Sequence, residues 1–117
     1  MKKKILKQPA VFKHMPDIFQ YEAGYMPDGE QYVFMAYRDA DWQRQIHLEV
    51  NRWSHNIAKQ LKKDFAEVKS DAERAGLLEI CITYPQDDVE KWKKFINFLG
   101  FPQPETFHMS IMVLKNG

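Results

Sequence analysis

The clearest periodicity lies in the second half of the chain. Ile57, Leu61, Phe65, Val68 and Ala72 recur at intervals of three and four, the spacing that lines one face of an α-helix. Asn51 or Ser54 can cap its start, and Gly76 supplies a left-handed stop. "LLEICITY", Leu77 to Tyr84, then reads as a β-rich run ending at Pro85. Asp87 or Asp88 can cap a second helix whose apolar stripe is Val89, Trp92, Phe95, Ile96 and Leu99, closed by Gly100. "TFHMSIMVL", Thr106 to Leu114, predicts a last strand.

The first half is punctuated instead. Pro9, Pro16, Gly24 and the turn "MPDG" at Met26 to Gly29 leave room only for short strand-like pieces. "QYVFMAY", Gln31 to Tyr37, predicts a strand buried on both faces, with "RDAD" as its hairpin turn. Trp42 to Val50 alternates: Trp42, Arg44, Ile46, Leu48 and Val50 share the drier face, and Gln43, Gln45, His47 and Glu49 the other. From Gln31 onward the order is strand, strand, long helix, strand, helix, strand. That order implies an α/β (α+β) fold with a parallel crossover over the long helix.

Length and composition narrow the function. The chain's 117 residues suit one domain, 1–117, and 44% hydrophobic with 28% charged residues is a folding composition. A formal net charge of +1 gives no overall field for nucleic acid or an anionic membrane, and Lys59, Lys62, Lys63, Lys69 and Arg74 alternate with Asp64, Glu67, Asp71 and Glu73. Neither partner is expected. The "KKK" of Lys2 to Lys4 reads as a solubilising basic arm, and Lys7, Gln8 and Pro9 interrupt any signal-like apolar run behind it. A lone cysteine, Cys81, fits a reducing compartment, so the expected location is cytoplasmic, host cytoplasm if the chain is phage-encoded. His47 with Glu49, Glu79 with Cys81 and Thr83, and His108 with Ser110 each share a strand face. They would form a Cys-His-Glu cluster only if those faces converge; otherwise Cys81 is a small buried thiol. No metal site is expected. Trp42, Trp53, Trp92 and the N-terminal aromatics Phe12, Phe19, Tyr21, Tyr25 and Tyr32 include candidates for a partner or subunit contact, so a homo-oligomer is compatible.

"KWKKFINFLGF", Lys91 to Phe101, a helix closed by Leu-Gly-Phe, together with the element order resembles the GNAT acyltransferase superfamily. The resemblance implies a mixed central sheet with a long helix and a second helix packed on it. It places the pyrophosphate of acetyl-CoA at the first turn of the long helix, in "NRWSHNIAKQL", Asn51 to Leu61. The superfamily puts a basic or glutamine residue and two small residues there so that backbone amides can approach the phosphates. Here Trp53, Asn56 and Ala58 stand at those positions and only Ala58 conforms. Many members also have a tyrosine four residues before the closing glycine to protonate the departing thiolate; that position is Ile96.

These departures, and a front shorter than the enzymes have, lead to the expectation of a divergent, non-catalytic GNAT-fold protein without cofactor. It would act by protein binding, resembling head-assembly or internal virion proteins of tailed bacteriophages, with a virion component as partner. The alternative is an acetyl-CoA-dependent N-acyltransferase with an atypical phosphate turn. In that case Arg52, Ser54, His55, Asn56, Ile57 and Ala58 would hold the cofactor, and Glu49 or His47 would be the general base.

Overall fold

The structure, a computed structural model, describes residues 2–16, 18–83, 96–101 and 109–116. The predicted long helix is α1, His55–Arg74. Ser54 is its N-cap, with extended backbone, and its Oγ accepts from the Ile57 amide at 3.1 Å. Such a cap satisfies one of the donors that a helix start leaves without a partner. Gly76, at φ +81°, turns the chain out of the helix, and the amides of Gly76 and Leu77 donate back to the carbonyls of Glu73 and Ala72. Ile57, Leu61, Phe65, Val68 and Ala72 form the buried stripe, joined by one charged residue, Asp64.

Six strands make one sheet in sequential order: β1 (Lys2–Ile5), β2 (Gln20–Tyr25), β3 (Gln31–Ala40), β4 (Gln43–Val50), β5 (Glu79–Thr83) and β6 (Met109–Val113). Every neighbouring pair is antiparallel except β4 and β5, whose parallel pairing requires the crossover that α1 provides. The dry face of β4 carries Ile46 and Leu48 into one large cluster with the α1 stripe, Ile80, Ile82, Ile96, Leu99 and Phe101. The other face of the sheet holds a small cluster of Phe12, Tyr21 and Ala36, flanked by Ile5, Met15, Phe19 and Phe34. This is an α+β fold. Among the described residues no helix is long and apolar enough to cross a membrane.

Several expectations for the first half are corrected. Lys2 to Lys4 are part of an edge strand paired with β2, where Lys2 reaches Glu22 at 3.6 Å. Three lysines on a sheet edge also discourage pairing with another chain. β3 runs on through "RDA", so the hairpin turn is Asp41 and Trp42, with Asp41 at φ 57°. Trp42 thus leaves the dry face: it is 55% exposed and its indole donates to Glu79 at 3.2 Å. Gly24 does not break the chain but lies inside β2, opposite a bulge. The register slips between Gly24↔Val33 and Tyr25↔Gln31, leaving Tyr32 as the extra residue of β3. Tyr32 and Val33 therefore both enter the helix-side core, and a Cβ on Gly24 would stand 2.6 Å from Val33 Cγ1 and 2.8 Å from Tyr32 Cε1.

Of the predicted second helix, residues 96–98 are described and helical, ended by Gly100 at φ +102°. Ile96 and Phe101 are buried, and the Phe101 ring lies 5.4 Å from that of Phe65. The expected start of this helix at Asp87 or Asp88, the end of the preceding strand at Tyr84, and Thr106 to His108 lie outside the described residues.

Candidate functional site

β4 links the two places where chemistry was expected. Its His47 and Glu49 point away from α1, because the alternate residues Ile46 and Leu48 are in the α1 core. The ladder to β3 continues to Val33↔Val50, whereas the described ladder to β5 stops at His47↔Thr83. At that end of the sheet lies a cavity of about 410 Å³ lined by His14, His47, Glu49 and Thr83, with Val11, Phe12 and Met15 as its apolar wall. The segment before β2 builds this wall. A 3-10 turn at Ala10–Phe12 presents Phe12 to Tyr21, ring centroids 6.1 Å apart. The Gln8 side-chain amide fixes the turn by donating to the carbonyls of Phe12 at 2.6 Å and Met15 at 3.2 Å.

His47 is half-buried and its ring packs edge-on against Phe19 at 5.4 Å; Phe19 in turn lies under the Arg38 guanidinium, 5.8 Å away. Burial and the neighbouring His14 lower the His47 pKa below the ordinary histidine value. His47 is consequently a neutral imidazole at pH 7, able to accept a proton. His14, by contrast, is exposed.

The start of α1, one short turn beyond Glu49, has a different character. Arg52 is exposed and paired with Glu30 at 2.9 Å. Asn51 donates to the Gln31 carbonyl and side chain, and Trp53 is half-buried against the main core. Ile57 sends its side chain into that core, with its amide bonded to Ser54 Oγ. His55 and Asn56 are exposed and Ala58 is half-buried. First-turn amides of a helix have no acceptor within it, so those of His55 and Asn56 lie at the positive end of the helix dipole.

The Cys-His-Glu arrangement assembles only in part. β4 and β5 bring Gln45 opposite Cys81 and His47 opposite Thr83, so those side chains share the face away from α1. Glu79, however, sits opposite Gln43 and accepts from it and from Trp42. Cys81 is buried, and burial, with Glu79 adding to it, raises its thiol pKa. It is an inert thiol rather than a nucleophile. His108 lies outside the described residues, and among the described ones no group of three His, Cys, Asp or Glu could hold a metal.

Two other polar centres went unread in the sequence. Tyr32 donates to Asp64 inside the main core, and Gln60 donates to the other Asp64 oxygen at 3.1 Å. Burial and the Asp64 carboxylate push the Tyr32 phenol far above its ordinary pKa, so it stays a hydrogen-bond donor. Arg44, 6% exposed, spans Asp39 at 2.7 Å and Asp71 of α1 at 2.8 Å. It lines a larger concavity of about 620 Å³ with Lys2, Glu22, Glu67 and Arg74. These charges pair among themselves, and the hollow lies along the later half of α1, away from its start. The wall residues Val11, His14 and Met15 carry no periodic pattern, and only the fold brings them to His47.

A mixed sheet crossed once in parallel by a long helix, with a helix ending in Gly-Phe packed on that helix, is a GNAT-like α+β fold, and solved structures agree. The chain is similar to a GNAT superfamily phosphinothricin acetyltransferase from Sinorhizobium meliloti in complex with acetyl-CoA, with TM-score 0.60, 9% identity, and 85% of this chain covering 63% of that one. It is also similar to an aminoglycoside 6'-acetyltransferase type Ii, with TM-score 0.60, 14% identity, and coverage of 88% of this chain and 74% of the other. A third is AtaTR bound with acetyl-CoA, with TM-score 0.62, 15% identity, and coverage of 91% and 74%. At these identities the likeness establishes the fold. No family model matches the chain, and no curated protein matches its sequence.

Proposed function

We propose that the protein is an acyltransferase that uses acetyl-CoA and transfers its acyl group to an amine. The observation that carries this reading is the cavity at the end of β4, where half-buried His47 and Glu49 meet an apolar wall, with α1 beginning a short turn further along the chain. A general base must reach a substrate proton and be unprotonated at working pH. His47 meets the second condition by its burial, and its place in the cavity supports the first. The thioester supplies an activated acyl group; this chain's part is to hold it, to orient the amine and to take the amine's proton. Arg52, Ser54, His55, Asn56 and Ala58 would hold the pyrophosphate through the helix start, with Ile57 contributing backbone alone. Glu49 would attract the cationic amine while His47 accepts its proton.

Titration calorimetry with acetyl-CoA, run beside a thermal melt, tests the reading. Saturable binding with a raised melting temperature is expected, since a ligand that binds only the folded state stabilises it. Arg52→Ala should weaken that binding several-fold. No heat and no thermal shift at millimolar acetyl-CoA would overturn the proposal.

A second reading keeps the fold without the chemistry: protein binding, in virion or head assembly, with a virion component as partner. It is favoured by the Arg52–Glu30 pair and by the absence of glycine from Asn51 to Ala58, which together make the phosphate turn less open. A neighbouring structure is a toxin bound to the C-terminus of its antitoxin and to acetyl-CoA, so ligand and protein binding coexist on that protein. Under either reading we place the protein in the cytoplasm.

A further inference from the structure

We propose that His14 is the proton partner of His47, passing to water the proton that His47 takes from the acceptor amine. The inference rests on the acyl-transfer reading and adds a residue to it from outside the sheet. His14 and His47 line the same cavity from different elements, His14 from the segment after the 3-10 turn and His47 from β4. One is half-buried and the other exposed, so the pair runs from the interior to solvent.

The problem it solves is physical. A proton taken up by His47 creates a cation on a half-buried ring packed against Phe19, and a second turnover requires that cation to be discharged. The cavity wall around it, Val11, Phe12 and Met15, cannot carry a proton. Thr83 has an ordinary hydroxyl and Cys81 a buried thiol of raised pKa. Arg38 is fixed to Gln45 at 2.8 Å and never loses its proton. Glu49 would be engaged by the amine. That leaves His14, whose own charge disfavours a charge on His47, so occupancy of one imidazole drives the proton off the other. The balance is simple: the ammonium N–H bond breaks with its electron pair left on nitrogen, the proton moves to His47, then to His14, then to water.

The conformation of the His14 segment is set locally. The Gln8 amide ties the carbonyls of Phe12 and Met15, which flank His14, and Phe12 anchors the turn in the small cluster. His14 itself carries no packing load, so His14→Gln should leave the fold intact.

The test begins with an NMR titration of both imidazoles in the full chain, in wild type, His14→Gln and His47→Gln. His14→Gln is expected to raise the pKa of His47, because the His14 charge is one of the two causes that hold it down. Independent titrations would overturn the proposal. Turnover of acetyl-CoA with tyramine as probe amine is followed by thiol release. The His14→Gln variant should lose roughly tenfold or more in kcat, within the range of proton-transfer catalysis, and recover most of it in high concentrations of imidazole buffer. An unchanged kcat, or a loss that imidazole does not restore, sinks the relay. If the wild type does not consume acetyl-CoA, the acyl-transfer reading falls, and the titration alone then decides whether the two histidines share a proton.

Discussion

The two faces of the sheet are built to different standards. The face under α1 is closed over its core: Tyr32, Ile46, Leu61, Ile80, Ile82 and Ile96 are each at most 1% exposed, Asp64 and Tyr32 satisfy each other, and the hollow along the later half of α1 is lined by charges that pair among themselves. Among the described residues the opposite face has a small cluster of three buried residues, Phe12, Tyr21 and Ala36, held down by a 3-10 turn and the Gln8 side chain. The first face provides stability and fixes the strand register. The second leaves a cavity containing two histidines and a glutamate. A small domain can keep a cavity on one face where the other supplies a dense apolar core.

The largest effect should therefore come from breaking the closed face. Phe65→Ala removes a ring that is 2% exposed and lies against Phe101, and urea unfolding should register a loss of about 3–5 kcal/mol. Phe12→Ala, on the open face, should cost less, because a small cluster held by one 3-10 turn can collapse around the deleted ring. Equal losses would mean that the two faces are not unequal partners.

Gly24→Ala sharpens the comparison from the side of the bulge. Its methyl group would meet Val33 and Tyr32 well inside contact distance, and both are fixed in the closed core. We expect a loss of about 1–3 kcal/mol by overpacking, with the amide resonances of β2 and β3 shifted and those of β5 unmoved. An ordinary alanine cost near zero would show that the bulge relaxes freely.

How much of this was legible depended on periodicity. The α1 stripe, the β4 alternation and the parallel crossover could be read because one side of each element is dry, and dryness writes a period into the sequence. β1 could not, because an edge strand with polar faces reads as "KKKI", a basic tail. Gly24 read as a break between strands because steric exclusion by Val33 and Tyr32 leaves no trace in local sequence. For the site, His47 and Glu49 were singled out by their shared face, and the structure adds the cavity they line. His14 was invisible: it reaches the cavity through an irregular segment whose course is decided by Gln8 and Phe12. At the helix start, the choice between Asn51 and Ser54 as cap was open in the sequence; Ser54 takes it, and Asn51 is occupied by Gln31.

Ser54→Ala probes that junction, where the closed face meets the candidate site. Losing the cap should cost about 1 kcal/mol. It also frees the Ile57 amide, so the stability loss should be accompanied by a change in acetyl-CoA affinity if that turn holds the phosphates. A stability loss with unchanged affinity would detach the helix start from the ligand.

The smallest effect concerns His47 and comes from pH. Its folded-state pKa lies below the ordinary 6.5, because burial and His14 disfavour the imidazolium. Above that value both folded and unfolded states hold a neutral His47, and its contribution to stability is constant. As pH falls below 6.5 the unfolded chain takes up the proton first, so the unfolded state gains free energy that the native state does not. Stability thus declines between 6.5 and the lower folded pKa, and levels off once the native state also binds the proton. His47→Gln removes this slope. The urea midpoint of the wild type should fall more from pH 7 to pH 5 than that of His47→Gln, and His14→Gln should give an intermediate fall because half-buried His47 would keep only its burial penalty. Parallel slopes in all three would mean that the open face solvates a charged His47 as well as water does, and the contrast between the two faces would then be one of packing alone.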